Sequence, residues 1–271
     1  MFSRPVVLIT GSAQGIGLAS AVEFARRGYD TALADMQGDA LAVAGEAVRA
    51  EGGAALLLQG DLADLSFAES TVRDTTAKYQ RIDCLVNNAA WRELHSMKRI
   101  SLDSWERTLR ICLTVPAFMS RWAAEAMIPA GSGVIVNVSS IMSRHAAGTS
   151  PAYVAAKGGV DALTRELAAL YGGHGIRVVA VNPGAVDTEL SRDYADAGRA
   201  SLTTEIRRLS EDFTPLARWA RPEEIARAIA MLASDDASFI TGTCVTIDGG
   251  WTANLHPTSL KRRMSPDDFP G

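Results

Sequence analysis

The sequence predicts a doubly wound α/β domain built on one mostly parallel sheet. Three observations carry that prediction. About seven short apolar runs alternate with helical stretches through most of the 271 residues, the pattern of repeated βαβ units. Runs such as Val6-Val7-Leu8-Ile9 are continuously apolar, as strands covered on both faces are. Glycine, asparagine and serine turns close these runs at Gly11–Gly17, Asn87–Ala90, Ser139–Ser140 and Asn182–Gly184. Open α/β sheets bind ligands outside the carboxyl ends of their strands.

The first run enters Thr10-Gly11-Ser12-Ala13-Gln14-Gly15-Ile16-Gly17, then a helix to about Arg27. Strand, glycine turn and helix form a phosphate-binding layout, because the turn lets backbone approach and the helix N-terminus presents free N–H groups. The spacing is G-x-x-x-G-x-G, so an ordinary tight turn is the competing reading. The second strand, 31–35, ends in Asp35, 18 residues after Gly17, close to the ~20 expected of a carboxylate on an adenosine ribose. Such a carboxylate accepts from both ribose hydroxyls and repels a 2′-phosphate. Ser12, Ala13, Gln14 and Met36 supply no positive charge, so NAD is favoured over NADP; a helix-capping Asp is the alternative.

A helix over 40–50, a strand over 54–59 and a turn at Gly60-Asp61-Leu62 follow, then a helix over 65–79 and a short strand over 84–86. Ser101 is placed to cap a long helix running to Met127. A strand over 133–138 ends at Ser139-Ser140. The next helix takes Pro151 in its first turn and shows an apolar stripe at Val160, Leu163, Leu167 and Leu170. A strand over 177–181, a helix over 223–233 and a last strand over 244–247 complete the alternation. The polar, weakly periodic stretch 189–215 reads as a lid over the substrate. Residues 254–271 form a tail whose sequence does not decide whether it crosses to a neighbour. No second domain is expected in 1–271.

Tyr153 and Lys157 stand four residues apart in the Pro151 helix, so phenol and ammonium share one face. A nearby cation favours the ionised phenol and lowers a tyrosine pKa from its usual value near 10. Bringing it to roughly 7 takes about 4 kcal/mol. One lysine rarely supplies that alone, and an oxidised nicotinamide ring would provide a second positive charge. The pair is a candidate acid/base centre beside a dinucleotide.

Taken together, these motifs resemble the short-chain dehydrogenase/reductase family over roughly residues 5–253. The resemblance implies a single Rossmann-type domain in which Tyr153 is the general acid/base at the carbinol oxygen. Ser140 would hydrogen-bond that oxygen, and Lys157 would tune Tyr153 and hold the nicotinamide ribose. Gly11, Ser12, Gln14, Gly15, Ile16 and Gly17 would meet the pyrophosphate. Asp61, Leu62 and Asn88 would contact the adenosine half, while Pro183, Gly184, Val186 and Thr188 would wall the nicotinamide. A homotetramer or homodimer follows from the resemblance alone.

Two departures stand out. Ala90 replaces a usual glycine, and Cys112 occupies the position of the family's catalytic asparagine. There the family anchors a relay water from the lysine, largely through a backbone carbonyl at a helix distortion. Pro116 lies four residues on and has no N–H, so it frees the Cys112 carbonyl for that work. The alternative is that Pro116 only kinks the helix and Cys112 packs. A covalent role for Cys112 lacks a paired base.

Net charge is −4, from 27 basic and 31 acidic residues, which argues against nucleic acid as the main partner. Lys261-Arg262-Arg263 reads as a solvated run. Cys84, Cys112 and Cys244 are far apart and show no metal spacing, so reduced thiols and a cytoplasmic setting are expected, with no metal. The N-terminus leaves no room for a signal peptide, and no apolar run approaches about 18 residues, so no membrane span is expected. Substrate contacts should come from Trp91, Arg92, Glu93 and His95 after one strand, and from Met142, Ser143, Arg144 and His145 after another. Their polarity and possible cations suit a sugar, polyol or hydroxy acid, although each cation taken singly could face solvent or a subunit neighbour. The reading is an NAD-dependent oxidoreductase moving a hydride to or from a secondary alcohol. A 3-oxoacyl or other carbonyl reductase is the alternative, against which Asp35 speaks. A non-catalytic NAD-binding regulator is supported only by the missing asparagine.

Overall fold

A computed structural model describes residues 4–192 and 200–269. Among them seven strands pair in parallel as one sheet: β1 (Val6–Thr10), β2 (Asp30–Asp35), β3 (Ala55–Gln59), β4 (Cys84–Asn87), β5 (Gly133–Val138), β6 (Ile176–Pro183) and β7 (Cys244–Ile247). Their spatial order is β3-β2-β1-β4-β5-β6-β7. The winding reverses between β1 and β4, and that is where a crevice opens at the carboxyl ends of the strands.

Continuous apolar strands demand cover on both faces. On one face Phe24 of α1 (Gly15–Arg26), Leu41 and Val48 of α2 (Gly38–Ala50) and Ile225 and Ile229 of a later helix (Pro222–Ala233) join Val7, Ile9, Val136 and Val179. On the other, Val72 of α3 (Leu65–Tyr79), Met119 and Met127 of α5 (Val115–Met127) and Leu167 of α6 (Pro151–Tyr171) join Leu8, Leu85, Ile135 and Val178. The expected single doubly wound domain is observed, with strand limits within two residues of those read from the sequence.

Three expectations need correction or completion. The long helix expected to begin after Ser101 is broken: α4 (Leu102–Leu109) passes through a π-helical turn (Arg110–Thr114) into α5. Ser101 does cap it, its hydroxyl accepting the Ser104 N–H at 3.1 Å. Within the 189–215 stretch, Glu189–Arg192 is a 3-10 turn and Ala200–Phe213 is a helix, α7, while 193–199 lie outside the described residues. The polar composition of the segment hid that helix. The helix Pro222–Ala233 is then α8. In the tail, α9 (Thr258–Met264) turns back onto α7 of its own chain, where Ser259 N–H and hydroxyl donate to Asp212 at 2.8 and 2.6 Å. Among the described residues no helix is long and apolar enough to cross a membrane.

Candidate active site

The glycine turn after β1 is shaped by close approaches. Gly11 and Gly15 adopt φ of +63° and +56°, conformations that side chains with a Cβ rarely take. At Gly17 a Cβ would stand 2.0 Å from the Gly11 carbonyl oxygen. Asn88, just past β4, locks the turn from the side: its Nδ2 donates to the Thr10 and Gly11 carbonyls at 3.0 and 2.8 Å. Its backbone N–H goes to the Thr10 hydroxyl. The Asn88 carboxamide nitrogen thus braces the turn, and Asn88, expected to contact the adenosine half, lines the crevice. Ser12 is turned away as well; its N–H and hydroxyl both point to the Ala34 carbonyl at 3.4 Å.

The crevice encloses about 430 Å³. Asp35 closes one end. It is buried, with Oδ2 accepting the Ala13 N–H and Oδ1 the Gln37 N–H, each at 3.0 Å. Those bonds aim the carboxylate and leave it further lone pairs. Gln14, Gly15, Ile16, Asp61, Leu62 and Thr188 also line the space. Arg107, which sequence reasoning missed, enters from α4, pairs with Asp61 at 3.1 Å and lies over the Trp91 ring. Its i, i+4 relation to Ile111, another lining residue, was the available signal. A crevice of mixed polar and apolar lining, a glycine turn with no room for Cβ atoms and an oriented acid fit a dinucleotide. Pro183, Gly184 and Val186 are less exposed to it: Pro183 ends β6, Gly184 packs on Asp248, and the buried Val186 bridges to Ala220.

α6 delivers Tyr153 and Lys157, 6% and 2% exposed, and Tyr153 meets the crevice lining at Arg92. The Lys157 Nζ lies 5.4 Å from the Tyr153 ring centroid and donates to the Val138 carbonyl at 2.6 Å. Ser140, in the turn after β5, accepts the Met142 N–H at 3.1 Å through its hydroxyl oxygen. Arg92 also lies over the Tyr153 ring, its Cζ 5.3 Å from the centroid.

Other sequence-predicted residues go elsewhere. The Arg144 guanidinium, largely exposed, is 4.0 Å from the buried Asp161, and the exposed His145 packs edge-on against Trp251. His95 is exposed beside Glu93. Cys112 is fully buried and presents no side chain to a reacting group. Its Sγ accepts the Trp91 N–H at 3.4 Å and donates to the Trp91 carbonyl at 3.3 Å, which ties the loop after β4 to the π turn. There the Val115 N–H returns to the Arg110 carbonyl, five residues back, and Pro116 has no N–H to give Cys112 in the α pattern.

A family model described as enoyl-(acyl carrier protein) reductase matches residues 11–252. A cis-4-hydroxycyclohexanecarboxylate dehydrogenase of Sinomonas cyclohexanicum is 40% identical over 93% of this chain and 98% of its own. The solved short-chain type dehydrogenase/reductase from Mycobacterium marinum superposes with a TM-score of 0.85 at 31% identity, covering 92% of this chain and 96% of that one. A putative NAD(P) dependent gluconate 5-dehydrogenase from Beutenbergia cavernae, solved with NADP at low occupancy, gives 0.82 at 34% identity over 93% and 98%. The chain belongs to the short-chain dehydrogenase/reductase family. It is an oxidoreductase acting on alcohol groups with a nicotinamide cofactor.

Gly17→Ala should weaken binding of that cofactor by roughly 10- to 100-fold, since overpacking of this kind costs about 1–3 kcal/mol. Calorimetric titration checks it; an unchanged Kd would show that the turn does not hold the dinucleotide.

Proposed function

We propose that the chain is an NAD-dependent dehydrogenase of small polar secondary alcohols, in the class of sugars, polyols and hydroxy acids. One observation carries the reading: a buried Tyr153 and Lys157 stand side by side, and the Tyr153 ring lies under Arg92, which lines the same crevice as the oriented Asp35 carboxylate. The carboxylate is suited to a ribose diol and repels a 2′-phosphate. The name of the Sinomonas relative, a ring alcohol dehydrogenase, supports the substrate class.

When bound, an oxidised nicotinamide supplies the hydride acceptor. The Tyr153 phenol oxygen takes the proton of the carbinol oxygen, and returns it in the reverse direction. Proton transfer of this kind typically contributes 10²–10⁴-fold. The Ser140 hydroxyl, already accepting from Met142, keeps its own hydrogen to donate to the same substrate oxygen. The Lys157 ammonium places positive charge beside the oxygen on which negative charge develops. The Cys112 carbonyl, deprived of its α-pattern donor by Pro116, is the acceptor that would hold a relay water between Lys157 and solvent. The Cys112 thiol serves as a positioning group on Trp91.

A second reading, an NADP-linked carbonyl reductase, draws on Arg107 in the crevice and on the NADP in the Beutenbergia structure. Initial rates across a panel of alcohols with each dinucleotide separate the two. NAD should exceed NADP in kcat/KM by at least ~10-fold, the effect of about 1.4 kcal/mol, and Asp35→Ser should shrink that ratio; preference for NADP in the unaltered enzyme would favour the second reading. Pro116→Ala restores a donor for the Cys112 carbonyl and should lower turnover by roughly tenfold. Unaltered turnover and pH profile would remove the Cys112 carbonyl from the relay.

A further inference from the structure

α4 brings into the crevice an arginine that hydride transfer does not itself require. Arg107 stands one turn before Ile111, and both line the space. Its Nη2 donates to Asp61 Oδ2 at 3.1 Å. Its guanidinium also lies over the Trp91 ring, the Cζ 5.4 Å from the centroid. The other carboxylate oxygen of Asp61 accepts the Ala63 N–H at 2.9 Å. The carboxylate is thus held by the backbone of its own turn, and the guanidinium by an aromatic face and that carboxylate. Both side chains keep more than a third of their surface open, and both line the crevice. The buried Leu62 and Ile111 line it as well. An acceptor and a donor therefore stand side by side, with apolar surface next to them.

We propose that Asp61 and Arg107 together recognise the base of the dinucleotide, with Arg107 as a specificity-determining residue for adenine. The inference rests on the dinucleotide reading above and deepens it. An adenine edge presents an amino donor next to a ring-nitrogen acceptor, and the side-chain amide of asparagine or glutamine matches it with an acceptor beside a donor. The ion pair offers the same order of groups. A carboxylate has about four acceptor sites and a guanidinium five N–H donors, so their bond to each other leaves each with capacity for the base. In hypoxanthine an oxo oxygen replaces the amino group and N1 carries a proton, so that edge presents the reverse order. Asp61 alone would take the amino group and leave the ring nitrogen without a donor; Arg107 supplies one. The Trp91 face fixes the plane of the fork, and Cys112 in turn ties the Trp91 backbone. This places Arg107 on the base rather than on a 2′-phosphate.

Calorimetric titration of the full-length protein tests it, comparing NAD with nicotinamide hypoxanthine dinucleotide, which differs from NAD only at that edge. NAD should bind ~10- to 100-fold more tightly, the range of one good bidentate base contact. In Arg107→Met the Kd for NAD should rise by roughly tenfold while the Kd for the hypoxanthine dinucleotide changes little, so that the ratio narrows. Arg107→Lys keeps the charge without the planar fork and should recover only part of the ratio. Asp61→Asn should narrow it too, because an amide can turn to suit either base. The melting temperature of each variant without ligand shows whether it is folded. Equal Kd values for the two dinucleotides in the unaltered protein would overturn base recognition and leave the dinucleotide site intact. A loss in Arg107→Met shared equally by both would overturn it as well, since that would place the guanidinium on the phosphates or make it a brace of the loop. Failure of the unaltered protein to bind either dinucleotide would overturn the underlying reading and this one with it.

Discussion

Lys157 faces the sheet from α6 with its ammonium buried, and its Nζ donates to the carbonyl of Val138, the last residue of β5. From the other side the Ser139 hydroxyl donates to the Lys157 carbonyl at 3.2 Å. An ammonium taken out of water costs several kcal/mol unless it is compensated, so these contacts leave α6 one depth and one rotation. Tyr153, one turn earlier on the same face, takes its position from that constraint. Lower down, Asn137 of β5 donates to Thr164 of α6 and accepts from Asn87 of β4, which also donates to Ser120 of α5. A buried polar chain of this kind fixes register as well as distance, because a slip would leave its members unpaired.

The crevice owes its place to the order of the strands. β1 pairs with both β2 and β4, so the connections leave it in opposite directions and the space above its carboxyl end stays open. The glycine turn and Asn88 then shape that space, Asp35 lines it from the end of β2, and Arg92 joins its lining to Tyr153 of α6. The π turn serves both halves. It carries Ile111 towards the crevice, anchors the Trp91 loop through Cys112, and through that loop sets where Arg92 lies over Tyr153.

Much of this was legible in the chain. Continuous apolar runs and their closing turns gave the strands to within two residues, since burial on both faces leaves little freedom of composition. The pairing of Tyr153 with Lys157 was readable because helix geometry alone puts i and i+4 together. What could not be read was where flexible side chains spend their hydrogen bonds. Ser12 and Asn88, read as cofactor contacts, also hydrogen-bond to the backbone around the turn, and Asn88 lines the crevice besides. Arg144 looked like a substrate cation and is drawn to Asp161, which lies two turns beyond Tyr153 and drew no notice. The π turn was foreshadowed by Pro116, but the thiol bridge from Cys112 to Trp91 joins residues 21 apart, beyond any local pattern. The helix Ala200–Phe213 was hidden by its polar composition.

The central claim is that Tyr153 and Lys157 act as one unit. Groups that work as a unit show strongly non-additive losses. The most direct measurement is kcat for Tyr153→Phe, Lys157→Met and the double variant, each at saturating dinucleotide. Each single change should remove most of the turnover, on the order of the 10²–10⁴-fold that proton transfer supplies, and the double variant should be no worse than the poorer single one. Retained turnover in Tyr153→Phe, or losses that multiply in the double variant, would contradict it.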